Sequence, residues 1–164
     1  MARFSDAAKR DPYRNFNFRI KFGTELVAAC RKMSALDVTV HMTPFRAGDS
    51  VTSVEEKSPG RTAYGDVTFE AGVTDNHLFE TWANQLADLN DRPVRLPDNQ
   101  FRREVTIEVM DIDRISVVRT YVLHRAWVTK YTAMSDLAGD GNDVIIESVV
   151  MVHEGFTREP NAGA

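Results

Sequence analysis

The chain has 164 residues, 24 of them acidic and 20 basic, giving a formal net charge of −4. That length is enough to bury a core without covalent staples, the single cysteine, Cys30, excludes an internal disulfide or a cysteine metal cluster, and the mild negative charge argues against a nucleic-acid-binding surface. No stretch approaches the ~20 apolar residues that span a bilayer, and the opening MARFSDAAKRDPYRNF lacks an apolar core of signal-peptide length, so cytoplasmic synthesis and no membrane insertion by the monomer are expected.

Residues 1–10 are mixed and aperiodic, the pattern of an arm that orders only against a neighbour. From Asn15 the pattern changes: Phe16, Phe18, Ile20 and Phe22 alternate with polar residues, which predicts an amphipathic strand followed by a tight turn at Gly23-Thr24. A short return strand is expected over Leu26–Arg31, with Cys30 as a small buried side chain, and Leu36, Val38, Val40 and Met42 set up a further strand. Pro44 to Ser58 has breakers, polar groups and weak periodicity, so an extended loop or arm is expected there rather than a core strand.

Pro59-Gly60 reads as a turn pair. Beyond it Val67, Phe69, Ala71 and Val73 alternate with Asp66, Thr68, Glu70 and Gly72 in a half-buried strand. Thr74-Asp75 offers side-chain oxygens to a helix opening at Asn76. Leu78, Phe79, Trp82, Leu86 and Leu89 then recur at three- and four-residue steps, which predicts one helix with an apolar face. Two prolines in Asn90–Gln100 end it. Strands follow: Val105, Ile107 and Val109, a turn at Asp111–Asp113, Ile115–Leu123, and a further strand from His124 through Tyr131. Leu137–Asp143 is a glycine-containing turn. Val144–His153 carries apolar residues on both parities, which implies burial on both faces. The expected architecture is one mainly β domain over 1–164, a twisted antiparallel sandwich or small barrel of about eight strands with one packed helix, and a loose end at 157–164.

The run from Pro59 to Asn76 also resembles the signature of the tail-tube proteins of contractile phages and of phage-tail-like contractile injection systems. Its matching positions are Pro59, Gly60, Tyr64, Gly72, Val73, Thr74 and Asp75. DPYRNFNFRI (Asp11–Ile20), MSALDVTV (Met33–Val40), Ala126-Trp127, NDVIIES (Asn142–Ser148) and HEG (His153–Gly155) follow in the family's order, adding Trp127, Asn142, Glu147, Glu154 and Gly155 as structural positions. The resemblance covers Asp11 to Glu159. It implies hexameric rings with a β-lined channel, stacked into the tube that a contracting sheath drives through a target envelope. It also implies a sheath protein, baseplate or spike proteins and a tube terminator as partners, a possible cargo in the lumen or DNA passage in a phage, and no cofactor or catalysis. The particle would assemble in a bacterial cytoplasm and leave by lysis. Within the 44–58 arm, Pro44, Phe45, Arg46, Asp49, Glu55, Glu56 and Lys57 become candidate inter-ring stacking residues. An initiator or baseplate-junction ring and the tube protein of type VI secretion are the alternatives within the same structural class.

Two other classes are weighed against it, a ligand-binding β-barrel module and an esterase. Gly48-Asp49-Ser50 could pass for the nucleophile block of a GDS-type hydrolase, but none of His41, His77, His124 and His153 follows an aspartate by three residues, and strand-helix alternation is missing. Asp136, Asp140, Asn142 and Asp143 lack the spacing of a calcium loop. The histidines lack the pair spacing of zinc sites, and Asp111 and Asp113 sit at a turn rather than forming an acid pair.

Overall fold

A computed structural model describes residues 17–27, 30–46, 48, 54–73, 75–91, 101–111, 113–137 and 143–160, with only the backbone described over 86–91. The expectations for residues 1–10, Asp49, Thr74, Asp140 and Asn142 lie outside the described residues. Ten strands and one helix are present among them: β1 (Phe18–Phe22), β2 (Glu25–Val27), β3 (Cys30–Met33), β4 (Val38–Phe45), β5 (Glu56–Tyr64), β6 (Val67–Gly72), α1 (Leu78–Asp91), β7 (Arg103–Met110), β8 (Val117–Thr132), β9 (Ile146–Val152) and β10 (Phe156–Glu159).

Alternation decides β1, where Ile20 and Phe22 are buried while Arg19 and Lys21 face outward to Glu108 on β7. Burial alone would raise the Glu108 pKa, but hydrogen bonds from Lys21 and Arg19 outweigh it and hold the carboxyl below its usual range. Gly23 turns the chain with φ of 60°, a conformation that favours glycine, and β2 returns along β1 with Ile20 opposite Val27.

The main sheet runs β2-β1-β7-β8-β9-β6-β3, with β10 also on β8. Its path does not close into a barrel among the described residues. The expected strand over Leu26–Arg31 is instead two strands: β2 pairs with β1, whereas β3 pairs with β6 at the opposite margin of the sheet. In contrast, the two strands expected over Ile115–Tyr131 are one, β8, bent at Arg125, whose φ is 53°. Before the bend β8 lies between β7 and β10, and beyond it β8 pairs with β9. The bend lets one strand serve both halves of the sheet, and the halves enclose a single core.

That core joins Ile20, Phe22, Val105, Ile107 and Leu123 from one half to Val67, Phe69, Val149 and Met151 from the other, with Phe79 and Trp82 of α1 between them. Helix α1 opens at Leu78, two residues later than Asn76. Asn76 is itself the cap, its Oδ1 accepting from the Leu78 amide at 3.1 Å. Its apolar stripe is buried at Phe79 and Trp82, as the helical spacing requires. Val73, expected inside β6, is exposed, because the strand ends at Gly72 and the Val73 amide turns to the Ile145 carbonyl. Val144 and Ile145, expected in a doubly buried strand, are likewise exposed and precede β9. At the C-terminal side, the loose end expected from 157 is in part strand, since Phe156–Glu159 pairs with Thr120–Leu123. Cys30 is half-buried rather than fully inside, and burial pushes its thiol up to about 11.

Candidate assembly surfaces

The arm expected over Pro44–Ser58 is β-ribbon at both of its ends, Pro44-Phe45 in β4 and Glu56–Ser58 in β5. β4 and β5 form a two-stranded sheet that shares no ladder with the main one. Pro44 pairs with Lys57 and Phe45 with Glu56 at the distal end of the ribbon. Every residue of both strands is exposed. Pro59-Gly60 is not a turn: both residues lie inside β5, where a register shift sets Pro59 opposite Met42. Glycine is needed at 60 because an added Cβ would sit 2.9 Å from the His41 carbonyl oxygen across the ribbon.

The ribbon is amphipathic. Directly opposed residues of an antiparallel pair share a face, so Val38, Val40 and Met42 lie on one side with Tyr64, Thr62 and Pro59. Val38, Val40 and Met42 are 48%, 55% and 59% exposed, and Phe45 on the other side is 62% exposed. At the root of this face Tyr64 packs on the main body, whereas Val38, Val40 and Met42 remain exposed. Among the other stacking candidates, Arg46, Glu55, Glu56 and Lys57 are all exposed at the distal end of the ribbon.

The family-signature positions that the sequence separates come together at the ribbon's root. The Tyr64 ring stands over Gly155, within 3.5 Å of where a Cβ would be, and packs against His153 and Phe156 at centroid distances of 5.6 and 5.9 Å. Gly155 has φ of 151°, a region side chains rarely adopt. Gly155→Ala is therefore expected to cost about 1–3 kcal/mol through backbone strain, since the added methyl would meet Tyr64 only at ordinary contact distance; a denaturant melt checks this. Beside it, Glu154 accepts from Arg102 at 2.6 Å and from Arg125 at 2.8 Å, holding the bend of β8 to the turn before β10. The two arginines were invisible as partners in the sequence, because they lie 52 and 29 residues away.

Other signature residues do not join this cluster. Trp127 is half-buried on β8 opposite Val152. Gly72 has nothing within 4 Å of a built Cβ, and Asp75 is exposed before the helix. Glu147 is buried on β9, with Oε2 accepting from the Tyr131 hydroxyl at 3.0 Å. Burial raises its pKa, and burial followed by that hydrogen bond pushes Tyr131 up to about 12. A carboxyl raised on folding stabilises at low pH and loses that contribution as pH rises through its folded value. Glu147→Gln, which keeps an acceptor for Tyr131, is expected to be more stable than the parent at neutral pH. The advantage should vanish in acid, where Glu147 is itself neutral. Urea melts at both pH values check this.

The geometry offers little to chemistry. A recess of about 360 Å³ is lined by Glu25, Asn76, His77, Leu78, Thr81, Trp82 and Arg103. His77 there contacts Glu80 at 3.1 Å. His41 lies on the ribbon, His124 bonds Thr157 and His153 is in the aromatic cluster, so the four histidines are dispersed. Among the described residues no three metal-ligating side chains come together. Asp49 and Ser50 of the esterase reading lie outside the described residues, as do Asp140 and Asn142 of the calcium reading.

What the fold and these surfaces define is a β-structured assembly subunit with an exposed arm. The chain matches the family described as T4-like virus tail tube protein gp19 over residues 14–157, and it belongs to that family. Its fold is also shared with solved structures. A chain of the PVC extracellular contractile injection system sheath-tube complex in the extended state is 19% identical, with a TM-score of 0.77 over 97% of this chain and 99% of that one. In the sheath/tube terminator complex of the same system, a chain is 18% identical with a TM-score of 0.76, over 93% and 100% of the two chains. A chain of the anti-feeding prophage tube-terminating cap is 17% identical with a TM-score of 0.75, over 94% and 95%. No match emerges among curated protein sequences.

Proposed function

We propose that this chain is the structural inner-tube subunit of a contractile tail or extracellular contractile injection system. It forms stacked hexameric rings around a channel that a sheath drives through the target envelope. Family membership supports the tube role, and the observation that carries assembly is the β4–β5 ribbon, exposed over every residue and apolar on one face. A lone hairpin is marginal in water, and an exposed apolar face marks a contact surface. Strand margins at β2 and β3 that have no further partner among the described residues suit closure of a ring by neighbouring copies. In this reading the protein performs no catalysis and holds no cofactor. Its partners are its own copies, the sheath, and baseplate and terminator proteins, while cargo or DNA occupies the lumen. Assembly takes place in a bacterial cytoplasm.

A terminal or initiator ring of the same tube is the second reading, favoured by the fold shared with a chain of a tube-terminating cap. Negative-stain microscopy and native mass spectrometry of the purified protein test the first. Six-fold rings that stack into tubes are expected; a monomer or dimer at all concentrations overturns it. Six-fold rings that never stack favour the terminal ring.

A further inference from the structure

Along β9 the inward side carries Glu147, Val149 and Met151, and all three are buried. A carboxyl in a row that is otherwise apolar depends on its neighbours for compensation. Tyr131 of β8 supplies part of it, its hydroxyl donating to Glu147 Oε2 at 3.0 Å. On β6 the residue opposite Glu147 is Ala71, whose side chain brings neither charge nor donor. The other groups that act on Glu147 come from the start of α1, the helix packed on β8. The Glu80 charge acts on both Glu147 and Tyr131, and His77 acts on Glu147 with the opposite sign. His77 Nδ1 and Glu80 Oε2 are themselves 3.1 Å apart. A buried carboxyl of the sheet thus lies in the field of a second carboxyl that belongs to the helix.

The two protonation states of Glu147 place unequal demands on α1. A neutral Glu147 is held by Tyr131 and leaves Glu80 unopposed. An ionised Glu147 is a buried charge that repels Glu80 across the contact between helix and sheet. Burial, and then the Glu80 charge, raise its pKa above the ordinary carboxylate range against the opposing effects of Tyr131 and His77. A carboxyl raised on folding stabilises the packed state below its unfolded pKa, and that contribution is lost as pH rises through the folded value. Tyr131, pushed up to about 12, remains a neutral donor over the same range. Strand β9 is laddered on both sides, to β8 and to β6, so the repulsion is relieved by the helix and not by the strand.

We infer that Glu147 makes the seating of α1 proton-dependent: the helix is held against the sheet while Glu147 carries a proton, and its first turns loosen when Glu147 and Glu80 are both charged. A single titrating group then biases a local two-state element. The device belongs to one subunit and is independent of the tube reading. It places the pH response in the helix, beyond the effect of Glu147 on the stability of the whole fold.

The test follows Trp82, which lies on α1 and is 0% exposed. The chain has two tryptophans, so Trp127→Phe leaves Trp82 as the one emitter. A thermal melt confirms that this full-length background folds, and quenching by acrylamide, a neutral probe, is measured from acid to mildly alkaline pH. Quenching is expected to rise with pH in this background and to stay flat when Glu147→Gln is added. Two further variants carry opposite signs. Glu80→Gln should move the rise to lower pH and reduce it, because a like charge is gone, whereas Tyr131→Phe should move it to higher pH, because the ionised carboxyl loses its donor. A flat profile in the background protein overturns the proposal. A rise that survives Glu147→Gln, or shifts of the same sign from Glu80→Gln and Tyr131→Phe, also overturn it. Should Trp127→Phe fail to fold, the profiles are read with both tryptophans present, and the difference between the parent and Glu147→Gln decides in the same way.

Discussion

Trp82→Ala is expected to destabilise the protein by roughly 3–5 kcal/mol, the range for removing a large aromatic side chain from a closed core. Trp82 is 0% exposed, meets the Phe22 ring edge-on at a centroid distance of 4.9 Å, and donates from Nε1 to the Phe101 carbonyl at 2.7 Å. The Arg103 guanidinium covers its ring at 5.5 Å. Alanine would remove the contact between α1 and β1, leave a cavity, and strip the Phe101 carbonyl of its donor. Trp82→Phe separates these effects, because it retains most of the packing and loses only the hydrogen bond, worth about 0.5–1.5 kcal/mol. Urea melts of the two variants should therefore differ by most of the full loss. Equal losses would show that the hydrogen bond, and not the packing, holds the helix.

The second large effect concerns assembly and leaves the fold intact. Replacing Pro44–Ser58 by a short glycine-serine linker removes the distal ribbon, none of whose described residues is buried. The replacement takes no described residue from the core, so the fold is expected to persist. The root survives, because Tyr64 on Gly155 and the Gly65 amide on the Asp37 carbonyl at 3.3 Å lie outside the replaced segment. Rings are expected to persist and long tubes to disappear. Reversing charges within Glu55-Glu56-Lys57 should weaken stacking far less, since exposed ion pairs contribute about 0–1 kcal/mol each. Microscopy of the shortened protein, alone and with its sheath, reads the outcome; tubes of parental length would place stacking elsewhere in the chain.

Much of this architecture could be read from local pattern. Alternation in Phe18–Phe22 and Val67–Ala71 marked strands that bury the expected face, and the spacing of Phe79 and Trp82 marked the helix. The signature residues pointed to the tail-tube family, to which the chain belongs. Pro59-Gly60 misled because turn chemistry and a glycine forced by a close cross-strand carbonyl look alike in sequence; only the position of His41 tells them apart. The first strand of the ribbon shows its alternation at Val38, Val40 and Met42, but β5 has no core to face, so its composition is that of a loop even though its backbone is paired.

By itself, then, the sequence determined which segments are amphipathic, where the one helix lies and which family's motifs the chain carries, because periodicity and motif order are local properties. Tertiary structure alone decided that Leu26–Arg31 divides between opposite margins of the sheet and that β8 bends at Arg125 to serve both halves. It alone brought Arg102 and Arg125 to Glu154, and set Tyr64 over Gly155. Those features depend on pairings between residues tens of positions apart, and a strand's alternation states which face is buried without stating which partner lies beside it.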